Sequence, residues 1–235
     1  MNIFFIARRD LAAMLGRPAL YLITAFFLLA TGLFFYLTLS IDRTATLSRV
    51  FLGAAVVLLF VAPVLTMRLL SEEARSGTLE LILTAPVRTW ELVAGKFLAA
   101  WAGFGLMLAP TVVYLLLLVY LDRPDIPVIL SGYLGLMLVA ALLLSFGLLA
   151  SAVSSSAAAS AALGILFSAG AWVLGGLTLV SDNGIGRFLR YLAIQSHFVD
   201  FLDGLISLNN VVYFFSGTFF ALYLTVQLLH YRRQV

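Results

Sequence analysis

Apolar residues run through this chain in long blocks, and polar residues gather in the short stretches between them. Six blocks reach, or nearly reach, the ~20 helical residues that cross a hydrocarbon core of roughly 30 Å. They are 19–40, 50–67, 97–121, 128–150, 157–180 and 211–229, of which the second and sixth are the shortest. Pro63 and Pro110 lie inside blocks and predict kinks that neighbouring helices can tolerate. Ahead of the first block, Ile3, Phe4, Ala7, Leu11, Met14 and Leu15 recur at helical spacing, interrupted by Arg8, Arg9 and Asp10. This pattern predicts a short amphipathic helix lying in the interface, with Pro18 at the bend into the membrane. The first block is longer than a signal-peptide core and no small-x-small site follows it, so it reads as a retained span.

Between the fifth and sixth blocks, Asp182-Asn-Gly184 opens a longer polar segment. In it Phe188, Leu189, Tyr191, Leu192, Phe198, Phe201, Leu202, Leu205 and Ile206 alternate with Arg187, Arg190, His197, Asp200 and Asp203. That spacing predicts one or two short amphipathic helices dipping into the outer interface. The expected fold is an all-α integral membrane protein. It comprises an N-terminal interfacial helix, six transmembrane helices, a helix in the loop between spans two and three, and outer amphipathic helices. With no long repeat or linker, residues 1–235 read as one membrane domain.

Composition agrees with the pattern. The chain has 235 residues, 63% hydrophobic and 11% charged, against about 25% charged in a soluble domain. Its net charge of +3 is scattered over span ends with no basic stripe, so no nucleic-acid partner is expected. No cysteine is present, which excludes disulfides and thiolate sites. If residues 1–18, 68–96, 151–156 and 230–235 share one side, that side carries nine Arg and Lys (Arg8, Arg9, Arg17, Arg68, Arg75, Arg88, Lys96, Arg232 and Arg233). The other carries five. The excess predicts cytoplasmic termini and a cytoplasmic 68–96 loop, as expected for a multi-pass protein of a bacterial inner membrane.

That loop holds eight of the chain's 25 charged side chains. Ser76 or Thr78 can cap a short helix with Glu80 in its first turn; Leu79, Ile82 and Leu83 form its apolar face, and Pro86 stops it. Glu72, Glu73 and Arg75 sit below span two, and Arg88, Glu91 and Lys96 lead into span three. A short amphipathic helix there can insert into a groove on an aqueous partner and pass on its movement; the plainer reading is a loop charged only for topology.

The run Glu72-Glu-Ala-Arg-Ser-Gly-Thr-Leu-Glu-Leu-Ile-Leu-Thr-Ala-Pro-Val-Arg88, followed by Gly95-Lys96-Phe97, resembles the loop between spans two and three of ABC-2-type transporter permeases. Ser196 to Ile206, then Val212-Tyr-Phe-Phe and Tyr231-Arg-Arg, resemble the gliding-motility-type permease subunits of that family. The resemblance implies a coupling helix near 76–86 resting on an ABC-type ATPase subunit. Gly77 would give the tight turn into it, with Leu79, Ile82 and Leu83 seating it. Glu72, Glu73, Arg75, Glu80 and Arg88 would make polar contacts. ATP and Mg would then sit on the partner, with no cofactor on this chain, and a second copy or a related permease would complete the membrane half. An extracytoplasmic accessory protein is a further possible partner, beside membrane lipid.

The sequence contains no Gly-x4-Gly-Lys-Ser/Thr phosphate loop, so it supplies no Walker-type nucleotide site and is expected to be a transport subunit and not an enzyme. The alternatives are a membrane enzyme using His197 and Asp200, which share a helical face, or a non-transporting anchor. A His with two carboxylates on such a helix more often forms its solvated face, and no metal site is expected. Ser160, Gly164 and Ser168 recur every four residues as a ridge that permits close helix contact, within the subunit or against a second one. Trp101 and Tyr36 read as interface anchors. Span interiors hold almost no ionisable residue, which leans towards apolar or amphipathic cargo, or mechanical work, for export or membrane extraction.

Overall fold

The computed structural model describes residues 2–42, 46–77, 88–121, 124–177 and 191–234. Among them the chain is helical without strands. The elements are α1 (Asn2–Leu15), α2 (Pro18–Leu37), α3 (Ser48–Thr66), α4 (Ser71–Arg75), α5 (Thr89–Leu108), α6 (Val112–Leu121), α7 (Ile126–Val153), α8 (Ala157–Leu177), α9 (Ile194–Leu202) and α10 (Leu208–Gln234). Six helical stretches are long and apolar enough to span: Pro18–Ser40, Ser48–Arg75, Thr89–Tyr120, Ile126–Val153, Ala157–Leu174 and Leu208–Tyr231. Helices suit this solvent because each backbone N–H and C=O is satisfied within its own segment.

The two prolines within spans occupy different local settings. Pro110 falls in a 3₁₀ turn, Ala109–Thr111, that joins α5 to α6. Thr111 Oγ1 donates to the Leu108 carbonyl at 2.6 Å and meets the Tyr133 hydroxyl at 3.1 Å. Pro63 lies near the end of α3, where Thr66 Oγ1 donates to the Ala62 carbonyl.

Helix α7 is the hub, packed against α3, α8, α9 and α10. Within lipid the hydrophobic effect does not drive helices together, so close contact must do so, and small residues make it possible. A Cβ on Gly132 would strike Phe51, and one on Gly135 would lie 2.6 Å from Phe201 Cβ. The ridge on α8 works the same way: Ser160 and Ser168 are fully buried, and a Cβ on Gly164 would lie 2.8 Å from Pro63 Cβ. That ridge therefore packs inside the subunit, against α3 and α7.

Helix α1 lies along α5, with Ile6 over Gly95 and Leu11 and Met14 over Gly103. The docked side is Ile3, Ile6, Ala7, Asp10, Leu11 and Met14, whereas Phe4 and Phe5 are exposed. Asp10, which interrupts the apolar pattern in sequence, is at the centre of the contact. The Trp101 indole N–H donates to the Met137 carbonyl at 3.1 Å, against α7. Tyr36 is exposed.

Candidate functional site

The loop base between spans two and three is built where α3 ends. After Thr66 the chain makes a turn, Met67–Leu70, before the single-turn α4. Ser151, near the end of α7, stitches this break. Its Oγ accepts from the backbone N–H groups of Leu70 (3.1 Å) and Ser71 (3.0 Å) and donates to the Met67 carbonyl (3.0 Å). The free amides of a helix start are thereby satisfied by a side chain from another span.

Glu72 and Glu73 leave α4 in different directions. Glu72 pairs with Arg17 at 3.1 Å and Arg68 at 3.4 Å on the partly exposed side. Glu73 turns inward to Lys96 Nζ at 2.7 Å, and Asp10 reaches the same ammonium at 3.2 Å. Lys96 is only 2% exposed. Arg9 flanks the group, 2.9 Å from Asp10. Three elements distant in sequence, α1, α4 and α5, thus meet at one buried cation. An ammonium is costly to bury unless paired, and here two carboxylates hold it.

Of the other sequence-expected site residues, Arg75 and Arg88 are exposed. Gly77 has φ of 71°, the left-handed region that glycine adopts without penalty, so it turns the chain out of α4. Thr78, Leu79, Glu80, Ile82, Leu83 and Pro86 lie outside the described residues. Arg88 caps the start of helix α5, its backbone N–H donating to Glu91 Oε2 at 3.2 Å. Sequence reasoning left Asp10, Lys96 and Ser151 without these roles. Only the isolated Lys at the edge of an apolar block hinted at the first two.

At the opposite end of the bundle, α9 presses Phe198 and Phe201, both fully buried, onto α7 at Gly135. His197 does not lie on a solvated face: it is 7% exposed. Its Nδ1 lies 2.8 Å from Asn210 Oδ1, its Nε2 lies 2.9 Å from the Tyr191 carbonyl, and its ring stacks on Tyr213 at 4.0 Å. Asp200 reaches it only through Asn210, accepting from Nδ2 at 2.6 Å. With both ring nitrogens engaged, His197 has no nitrogen open to a substrate. Periodicity misassigned it because the burying partners, Tyr191 and Asn210–Tyr213, come from the segment before α9 and from α10.

No curated protein matches the chain. A family profile, described as ABC-2 family transporter protein, matches residues 39–230, from the end of the first span through the sixth. With six candidate spans and a loop base anchored in the bundle, the chain belongs to the ABC-2 family of transporter proteins, as a membrane permease subunit.

Proposed function

We propose that this permease is driven through the segment between spans two and three, which rests on an ABC-type ATPase subunit carrying ATP and Mg. The observation that supports this reading is the buried Lys96 with Asp10 and Glu73, which ties the base of that segment to two other helices. A push on the segment is then transmitted as movement of α1, α4 and α5 together and is not lost in a slack loop. Arg75 and Arg88 face outward to meet the partner, with Leu79, Ile82 and Leu83 seating in its groove. Glu73 serves inside the permease instead of at the partner surface.

The basic excess favours a cytoplasmic position for this end and both termini, at a bacterial inner membrane. Export or membrane extraction of an apolar or amphipathic cargo fits span interiors with almost no free charge, since Lys96 is neutralised. A second copy or a related permease completes the membrane half, and the resemblance favours the gliding-motility-type subunits. The segment 181–210 offers an outer surface to an accessory protein.

The test begins with a mild-detergent pull-down of the tagged chain from native membranes, with mass spectrometry of what stays bound. A stoichiometric ABC-type ATPase is expected; its absence under folding-preserving conditions would sink the reading. Arg75→Glu and Leu83→Asp are each expected to lower ATP-driven transport at least tenfold while the protein still inserts. Full activity in both would remove the coupling role.

A further inference from the structure

At the end of the bundle opposite the coupling segment, α9 meets α10 through one polar network set in apolar packing. His197 on α9 is 7% exposed and Asn210 on α10 is 4% exposed. His197 Nε2 lies 2.9 Å from the Tyr191 carbonyl, and Nδ1 lies 2.8 Å from Asn210 Oδ1. Asn210 Nδ2 donates to Asp200 Oδ2 at 2.6 Å, which leaves its Oδ1 turned to the histidine. Both atoms facing the imidazole nitrogens are therefore carbonyl oxygens, which accept and cannot donate.

A neutral imidazole carries one N–H and one lone pair. Here the lone pair would point at an acceptor within hydrogen-bond distance, so one contact would be lost and become repulsive. An imidazolium donates from both nitrogens and fits both contacts. Turning the Asn210 amide over does not remove the need for a proton. Nδ2 would then donate to Nδ1, but Oδ1 would face Asp200 Oδ2, a contact that only a protonated carboxyl can fill. The orientation in the structure keeps the carboxylate ionised and puts the proton on the ring.

A buried cation is costly unless opposite charge and hydrogen bonds attend it. The counter-charge is Asp200, relayed by the Asn210 amide. The Tyr213 ring stacks on the imidazole with centroids 4.0 Å apart, and the Tyr191 ring stands edge-on at 5.4 Å. Among the described residues of the other helices packed on α9, α7 carries Tyr133, bonded to Thr111 instead. Helix α3 carries Arg49, next to the Ser48 that bonds the Leu202 carbonyl, and α8 carries no titratable group. Asp203, at the C-terminal cap of α9, is exposed. The remaining titratable residues of α10, from Tyr223 onwards, lie towards its other end.

We infer that His197, Asn210 and Asp200 form a proton-binding site, in which an imidazolium and an ionised carboxylate joined by Asn210 latch α9 to α10. The proton comes from water at that end of the bundle and returns to it. Proton binding and latch closure favour each other reciprocally, so the latch is tightest in acid and loosens as pH rises. Because α9 also seats Phe198 and Phe201 on α7 at Gly135, its release changes the packing of two spans. The site is independent of the coupling segment.

The chain has two histidines, so in a His230→Gln background the NMR signals of isotope-labelled histidine report His197 alone. With the full chain in lipid at neutral pH, both ring nitrogens are expected to carry a proton. Asp200→Asn keeps the hydrogen bond but removes the charge, and is expected to lose one of the two. The chain has no cysteine, so Val199→Cys and Val212→Cys, at exposed positions, accept a spin-label pair across α9 and α10. The label distance is expected to be narrowly distributed in acid and to lengthen as pH rises through roughly 5 to 9, a range that brackets histidine titration. Asp200→Asn is expected to move that change to lower pH, and Asn210→Leu to leave the distance long at every pH. A single ring proton on His197 at neutral pH, with Asp200 unaltered, overturns the proposal. So does a label distance that responds neither to pH nor to Asp200→Asn. If the labels disturb the segment, the ring-nitrogen signals decide. Neither measurement involves the ATPase, so failure here leaves the driven-permease reading standing.

Discussion

Lys96 is the residue on which most of the loop base depends. Its ammonium is 2% exposed and has two carboxylate partners from different helices. Removing one member of a buried pair costs about 3–5 kcal/mol because the remaining charges lose their compensation. Lys96→Ala is expected to fall in that range, seen as a lower thermal midpoint in detergent. Asp10→Asn should cost less, since Glu73 still holds the ammonium. Exchanging the charges, with Asp10→Lys and Lys96→Asp together, should recover part of the loss; no recovery would show that the contact is steric and not electrostatic. Gly77 poses a different question, because a Cβ there would meet nothing within 4 Å and only its φ of 71° matters. Left-handed backbone costs an ordinary residue about 1–2 kcal/mol, with Asn tolerated best. Gly77→Asn is therefore expected to transport nearly normally and Gly77→Val to lose coupled transport, with both keeping the wild-type melting temperature. Equal activity of the two would take the turn out of the mechanism.

Among the elements, the spans were the most legible, because a run of apolar residues is a local property. The blocks at 50–67 and 128–150 became Ser48–Thr66 and Ile126–Val153, within two or three residues. The third span was read as starting at 97, yet its helix begins at Thr89. The charged turn could join the helix because Glu91 caps it and because Asp10 and Glu73, 86 and 23 residues from Lys96, neutralise the cation. No window of neighbouring residues contains that information. The same limit explains Asp10, read as an interruption of α1 although it is the centre of its contact, and His197, buried by partners outside its own helix. The small-residue ridge was visible, but not which helix it faced. Its packing inside the subunit gives a paired expectation. Gly164→Leu must displace Pro63 and is expected to destabilise by about 1–3 kcal/mol or more. Gly170→Leu on the same helix meets nothing within 4 Å and should leave melting unchanged. Comparable losses at both positions would contradict the packing described for α8.

At the scale of the whole molecule, two spans form the interior and the others surround them. About 67% of the most apolar window of α3 and of α7 is buried, against 17–33% for the other four spans. The two central helices therefore set the frame, and both ends of that frame are fastened: by Ser151 at the break after α3, and by α9, whose Leu202 carbonyl accepts from Ser48 Oγ at 3.0 Å. The peripheral helices expose broad apolar faces to lipid or to another subunit. One consequence concerns how the protein is made. Asp10 and Glu73 precede Lys96 in the chain, so both carboxylates have been synthesised before the third span emerges. A lysine at mid-membrane opposes insertion by roughly 2.5–3.5 kcal/mol, and one near a span end, such as Lys96, by less; this one arrives with both counter-charges already synthesised. The N-terminal helix then acts as an insertion aid for a helix nearly ninety residues downstream. Removing residues 2–15 is expected to lower the fraction of chains that insert span three, scored by glycosylation tags on either side of it. Restoring normal insertion with Lys96→Leu in the shortened chain would identify the lone cation as the cause, whereas unchanged insertion on truncation would end this account.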